Sequence, residues 1–209
     1  KDYMSTPVSK FGSTCVVSDK FCDKIAKLGV LETACQLTNV KDNKHAKKTD
    51  GNKTKSIRGI PKLMDANYAG TAKSKDCTII LCEGDSAKAG IVSGLSKEDR
   101  NFIGIYPMKG KLFNVRGEAQ KKINENKEII EIKQILGLES NKEYTSVEEM
   151  NKCLRYGYIL FMTDQDLDGI HITGLGFNLF HSLWSSLIKL NKIGFMNTPI
   201  LKARKNNKE

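Results

Sequence analysis

Residues 156–175 constrain this chain more than any other stretch. Tyr158-Ile159-Leu160-Phe161-Met162 is an apolar run of strand length, entered through Tyr156-Gly157. It is followed by Asp164, Asp166 and Asp168, carboxylates at every second position, then Gly169 and a long apolar-periodic stretch from Ile170. In an extended segment alternate side chains share a face, so the three aspartates are expected to point the same way. Crowded carboxylates repel unless a cation sits among them, and all-oxygen sites suit Mg2+, Mn2+ or Ca2+. The stretch reads as a divalent-metal site at the carboxyl end of a buried strand, where open α/β sheets hold their ligands.

Two other readings compete. The spacing D-x-D-x-D-G also opens an EF-hand loop, which needs a bidentate Glu at its twelfth position. Counted from Asp164, that place is held by Leu175, and a strand precedes the loop. The EF-hand fails. The other alternative is a solvated acidic turn, which a partner acid elsewhere in the chain would argue against.

That partner follows a second apolar run. Thr78-Ile79-Ile80-Leu81-Cys82 is apolar on both faces, as a central parallel strand should be. It leads into Glu83-Gly84-Asp85-Ser86-Ala87: a carboxylate, a tight turn and an Asp/Ser pair expected to cap a helix. Adjacent parallel strands would bring Glu83 to the aspartates. Phe102 to Tyr106 reads as a further strand ended by Pro107, followed by a glycine loop in which Lys109, Lys111 and Arg116 surround Gly110.

The pattern predicts helices over 118–126, 127–138 and 146–154, the last capped by Ser146. Ile172, Leu175, Leu179, Leu183, Leu187 and Leu190 predict one core-facing helix, with Phe180 and Trp184 packing beside it. A last strand is expected within 193–201, then a cationic end. Strands alternating with helices imply a small Rossmann-like α/β domain with a central parallel sheet flanked by helices.

Residues 1–75 differ in character and read as a mostly helical linker segment. Ser18 is positioned to cap a helix over 19–29, with Phe21, Ile25 and Leu28 on one face and Gly29 ending it; Val30 to Val40 suggests a second. From 41 to 62 eight Lys/Arg stand against Asp42 and Asp50. This reads as a linker or arm, with phosphate contact or plain solvation as its two uses. The whole chain carries a net charge of +10, which points to a polyanionic partner; a merely soluble basic protein is the alternative. No apolar run is long enough for a membrane span, and no signal peptide opens the chain. The six cysteines (15, 22, 35, 77, 82, 153) show no C-x2-C pair and read as reduced thiols of an intracellular protein.

Three ordered motifs carry a resemblance. Glu83 to Ala87, Pro107-Met108-Lys109-Gly110-Lys111-Leu112-Phe113-Asn114-Val115-Arg116 and Asp164 to Gly169 resemble the signatures of the TOPRIM domain of type IIA DNA topoisomerases. Phe11-Gly12-Ser13-Thr14-Cys15 and Gly59 to Asn67 look like the eukaryotic-type enzyme. The resemblance implies that 1–75 are the end of the ATPase-side transducer region with a basic linker, and 76–209 the TOPRIM domain. It implies that Glu83, Asp164 and Asp166 hold Mg2+ (Mn2+ or Ca2+ as substitutes), with Asp168 an outer or alternative ligand. Glu83 would also handle the proton of the 3′-hydroxyl leaving group. Glu83, Asp164, Asp166, Lys109 and His171 would serve the chemistry, and Asp85, Ser86, Lys109, Gly110, Lys111, Asn114, Arg116 and His171 would contact double-stranded DNA.

The same resemblance implies a homodimer and ATP use in the full-length enzyme only, with no membrane. Its location would be the nucleus, or a cytoplasmic viral factory if the Lys/Asn-rich divergence marks a virus. The chain departs from the family pattern at Lys109 (usually Arg), Ile170 (usually Ser) and Gly117 (usually Glu). No metal ligand is lost. Arg155-Tyr156 mimics the family's nucleophilic pair, but Tyr156 enters a buried strand and is expected to pack. The nucleophile and the ATPase site are therefore expected in other parts of a longer polypeptide. A stand-alone TOPRIM nuclease or primase, and a DNA-binding module with structural acids, are the competing readings.

Overall fold

The computed structural model describes residues 18–197; the Phe11–Cys15 motif, Cys15 and the chain from 198 onward lie outside them. The chain divides into two compact units between Asp42 and Asn43. In the first, helix α1 (Asp19–Lys27) starts where expected, with the Ser18 hydroxyl accepting from the Phe21 N–H at 3.3 Å. Gly29 adopts a left-handed φ of 66° and separates it from α2 (Val30–Lys47). Phe21, Ile25 and Leu28 are exposed.

Helix α2 continues past Val40 to Lys47, well into the segment expected as linker or arm. Lysine, asparagine and alanine do not break a helix, and Lys44, His45 and Lys47 in the last turn complement its dipole.

The second unit is built on four parallel strands in the order β2-β1-β3-β4: β1 Thr78–Glu83, β2 Ile103–Met108, β3 Tyr158–Met162 and β4 Ile193–Phe195. Period-2 alternation divides the core between the faces. Ile79, Leu81, Tyr106, Met108 and Phe161 join the larger cluster, and Ile80, Cys82 and Ile105 the smaller. The smaller is covered by Ala87, Ile91 and Val92 of α3 (Gly84–Gly94). After α4 (Asp99–Phe102) and β2 come α5 (Gln120–Glu125), α6 (Lys127–Leu136), α7 (Val147–Cys153), α8 (Leu167–Leu183) and α9 (Ser185–Lys189). Asn126 and Ser146 cap α6 and α7, accepting from Ile129 and Glu149 N–H groups.

Three expectations are corrected here. Pro107 lies inside β2 rather than ending it, because β2 is an edge strand where a missing N–H is tolerated. The single helix expected over 172–190 is two. The chain turns at Trp184 (φ −145°, ψ 57°), whose buried indole donates to Glu139 O at 2.8 Å. The Asp85/Ser86 cap does not form; Glu83 occupies the cap position and Asp85 faces Lys62.

The segment from 48 to 76 is packed rather than free. Gly51 N–H donates to Leu138 O at 2.9 Å, and Met64 forms an antiparallel bridge to Ile105. The fully buried Arg155 guanidinium donates to Thr54 O, Ile135 O and Asp65, and the Tyr156 hydroxyl donates to Asp65 while accepting from Ala66 N–H. Buried Lys133 holds Asp50 at 2.8 Å together with Ala46 O and Thr49. This polar segment is fastened largely by backbone carbonyls and N–H groups, which leave no mark in hydrophobic periodicity. Tyr156 is buried as expected, and it bonds as well as packs.

Candidate metal centre and nucleic-acid interface

The parallel register aligns Cys82 with Met162, so β1 and β3 end side by side. Glu83 is the last residue of β1, and Gly84 turns the chain with a φ of 77°. One oxygen of Glu83, Oε2, is sealed from solvent and has no hydrogen-bond partner. Its carboxyl is pushed above its ordinary range by burial first, then by Asp164, Asp166 and Asp168, with Lys111 opposing. The four acids therefore face one another electrostatically, as adjacent strand ends require.

The aspartates do not reach Glu83 as an extended ladder, which corrects the expected strand geometry. Strand β3 stops at Met162 and the acids run through a loop into the start of α8. Asp166 is the α8 cap, with Oδ1 accepting from Gly169 N–H at 2.8 Å. A side chain at Gly169 would collide with the Asp164 backbone, so the glycine of the motif is required by close approach. Asp168 lies in the first helical turn, 2.9 Å from Lys111 Nζ, which holds its carboxyl below the ordinary range with help from His171. Asp164 is exposed. Among the described residues no three His, Cys, Asp or Glu side chains converge tightly enough to make a preformed cation cage. Repelling carboxylates have instead taken a helix N-terminus and a lysine as partners.

The donor set still fits a hard divalent ion. It consists of carboxylate oxygens only, one of them a buried acceptor without a partner, and Mg2+ characteristically binds through one or two carboxylates plus substrate phosphate.

The cationic loop lies on the same rim. Lys109 is exposed, and its backbone N–H donates to Glu128 Oε1 at 2.7 Å. Gly110 takes a φ of 89°. Asn114 Oδ1 accepts from Arg116 N–H at 3.1 Å and from Asn178 of α8 at 3.0 Å, tying this loop to the helix that follows the aspartates. Arg116 and His171 are exposed. Asp85 and Ser86 are exposed on α3, and Asp85 pairs with Lys62 at 2.6 Å.

Sequence reasoning missed five supporting residues. Thr163 Oγ1 donates to Gly169 O at 3.0 Å and lies 2.9 Å from Thr173 Oγ1, bracing the acidic loop. Glu128 holds the lysine loop by its backbone. Lys62 engages Asp85 and is itself held through its carbonyl by Lys88 Nζ at 2.7 Å. Only Lys62 had a sequence signal, its place in the basic run.

Residues 78–196 match the Toprim domain family. Over its whole length the chain is 46% identical to DNA topoisomerase 2 of Pisum sativum and 44% identical to that of Drosophila melanogaster, spanning 14% of each. The crystal structure of the Plasmodium falciparum topoisomerase II DNA-binding, cleavage and re-ligation domain superposes with a TM-score of 0.67 at 45% identity. That match covers 73% of this chain and 21% of the other. With acids at two adjacent strand ends and a family match across the sheet that carries them, this chain is a member of the Toprim domain family.

Proposed function

We propose that the chain is the metal-holding part of an ATP-dependent type II DNA topoisomerase, acting on double-stranded DNA as a homodimer of a longer polypeptide. In this reading residues 1–75 are the end of the transducer region with its basic linker, and residues 76–209 are the TOPRIM part. The nucleophilic tyrosine and the ATP site lie in other parts of that polypeptide. The enzyme works in the nucleus, or in a cytoplasmic viral factory. No helix among the described residues is long and apolar enough to cross a membrane.

Glu83 carries the reading. A sealed, unpartnered carboxylate oxygen beside three aspartates is unfavourable by itself and becomes favourable when a cation joins it. Glu83, Asp164 and Asp166 would hold Mg2+, or Mn2+ or Ca2+ in its place, with Asp168 an outer ligand. An ion held there would supply charge neutralisation at the phosphate and at the 3′ oxygen.

The chain's own groups do the rest. Glu83 takes and returns the proton of the 3′-hydroxyl. Lys109, Lys111 and Arg116 hold the DNA backbone, and His171 reaches it from the first turns of α8. Gly110 and Asn114 keep the cationic loop in shape, while Asp85 and Ser86 meet DNA from the start of α3.

Mn2+ binding followed by electron paramagnetic resonance with duplex DNA present tests the site. Glu83→Gln and Asp164→Asn should each weaken binding at least about tenfold, the scale on which a metal site responds to lost partners. Asp99→Asn, at the start of α4, should leave it unchanged. Full Mn2+ affinity in the Glu83 variant would overturn the reading.

A further inference from the structure

Helix α6 runs antiparallel to the strands, and its two ends mark the two ends of the sheet. At its start, Glu128 accepts from Lys109 N–H, one residue past the end of β2. At its finish, Leu136 O accepts from Arg155 N–H at 2.9 Å, ahead of β3, and Leu138 O accepts from Gly51 N–H. Gly157 N–H donates to Cys77 O, immediately before β1. The acids occupy the end where strands finish. The segment 43–58 is fastened at the end where they begin.

That segment holds six cations (Lys44, Lys47, Lys48, Lys53, Lys55, Arg58) and one acid, Asp50. Asp50 is taken by Lys133 and Ser140, and Lys53 donates to Asn151 O. The other five cations are exposed, and none forms an ion pair among the described residues. Lys44 and Lys47 share one side of the last turn of α2, and Lys48 follows directly in the turn that leaves it. Strands of this size are about 17–20 Å long. That exceeds the Debye length of about 8 Å at physiological salt, so the two charged ends act independently.

We propose that this strand-entry face is a second duplex-binding surface, contacting DNA phosphates separately from the acidic rim. The segment 43–58 has no Phe, Tyr or Trp, and the single imidazole of His45 makes no platform for successive bases of a single strand. It also lacks the exposed apolar anchors that a protein partner would use, since Ala46 is buried and Ile57 packs on the core. What remains is charge recognition without base reading. The proposal does not depend on metal binding at the rim.

Anisotropy of a short labelled duplex across a salt series tests it. The proteins are the wild type, Lys44→Gln/Lys47→Gln/Lys48→Gln, Lys109→Gln/Lys111→Gln/Arg116→Gln, and the combination of all six changes. Three phosphate contacts carry about 2.7 units of salt slope. The first triple variant should lower the slope by about two to three units, and by the same amount when the rim cations are already removed. An unchanged slope would mean that this face meets no DNA. A loss that vanishes in the rim-deficient protein would mean one continuous footprint. Either result overturns the proposal, as would an equal loss in the charge-preserving Lys→Arg triple. Failure of the metal reading would instead appear in the Mn2+ titration and leave these slopes unmoved.

Discussion

Lys111 Nζ lies 2.9 Å from Asp168 Oδ1, so a lysine of the cationic loop and an acid of the α8 first turn neutralise each other across the rim. Both side chains are more than half exposed, and exposed pairs exchange partners easily because solvent screens them. The pair holds the rim in the absence of phosphate. On the proposed function, an arriving backbone phosphate would compete for Lys111 and a metal ion for Asp168.

Lys111→Met should accordingly move two affinities in opposite directions. Duplex binding should weaken, with the salt slope falling by about one unit. Mn2+ binding should strengthen by a small factor, because Asp168 and Glu83 lose a neighbouring positive charge. Parallel salt and metal titrations check both. Weaker metal binding in this variant would mean that Lys111 supports the acid cluster rather than opposing it.

Arg155 anchors the strand-entry end of the sheet and the segment that precedes β1. Its guanidinium is inaccessible to solvent and fastens Asp65, Thr54 O and Ile135 O at once. Arg155→Met should destabilise the fold by about 3 kcal/mol, the lower range for breaking a buried ion pair, since Asp65 keeps partial access to water. Tyr156→Phe should cost less, about 1–3 kcal/mol, by stranding Ala66 N–H and one Asp65 oxygen. Urea unfolding measures both, and a neutral Arg155 variant would contradict the hub.

The strands and most helices were legible because apolar alternation and capping residues record them directly. The closeness of Glu83 to the aspartates was legible because each follows an apolar run of strand length, and β1 and β3 do pair side by side in parallel. The corrections share a different cause. Pro107 depends on which strand is the edge, and the break at Trp184 depends on a carbonyl 45 residues away in sequence. The packing of 48–76 depends on buried Lys133 and Arg155, which resemble surface residues until their partners are known. At the rim, the alternate spacing of the aspartates suggests an extended ladder, but the cap preference of aspartate prevails and Asp166 opens α8.

Two glycines of ordinary φ have opposite surroundings that substitution should separate. A Cβ on Gly157 would collide with the Lys75 backbone, which cannot give way. Gly157→Ala should therefore destabilise strongly, at the upper end of the about 1–3 kcal/mol typical of overpacking. Gly90 lies within α3 with open space around it, so Gly90→Ala should stabilise by about 1 kcal/mol through helix propensity. Thermal unfolding of the two variants should shift in opposite directions, and the same sign for both would contradict these environments.

Thiol reactivity should follow burial. Cys22 and Cys35 are exposed, whereas burial pushes the Cys77 and Cys82 thiols up to about 11 from an ordinary 9.0. At pH 8 iodoacetamide should label Cys22 and Cys35 and spare Cys77 and Cys82 until the chain unfolds. The sign for stability follows. Thiols raised in the folded state contribute fully below pH 9, and that contribution is lost as the pH rises through about 11. Peptide mapping after timed alkylation checks the labelling, and urea midpoints across pH 8–11 check the sign.

Glu83 and Asp166 should separate when stability and metal response are read together. Glu83 ends β1 with an unpartnered buried oxygen among like charges, so the metal-free fold carries a cost at this residue. Glu83→Gln removes the charge, and its melting temperature in EDTA should rise by about 1–4 °C, the shift expected for up to roughly 1 kcal/mol in a domain of this size. Its stabilisation by Mg2+ should disappear, because an ion that binds only the folded state raises stability in proportion to its occupancy. Asp166 has a second duty as the α8 cap. Asn caps about as well as Asp, so Asp166→Asn should keep its EDTA melting temperature and lose part of its Mg2+ response. Asp166→Ala should lose both, at about 1 kcal/mol for the cap. If Glu83→Gln melts lower in EDTA and keeps its Mg2+ shift, the glutamate is a structural acid and the metal belongs elsewhere.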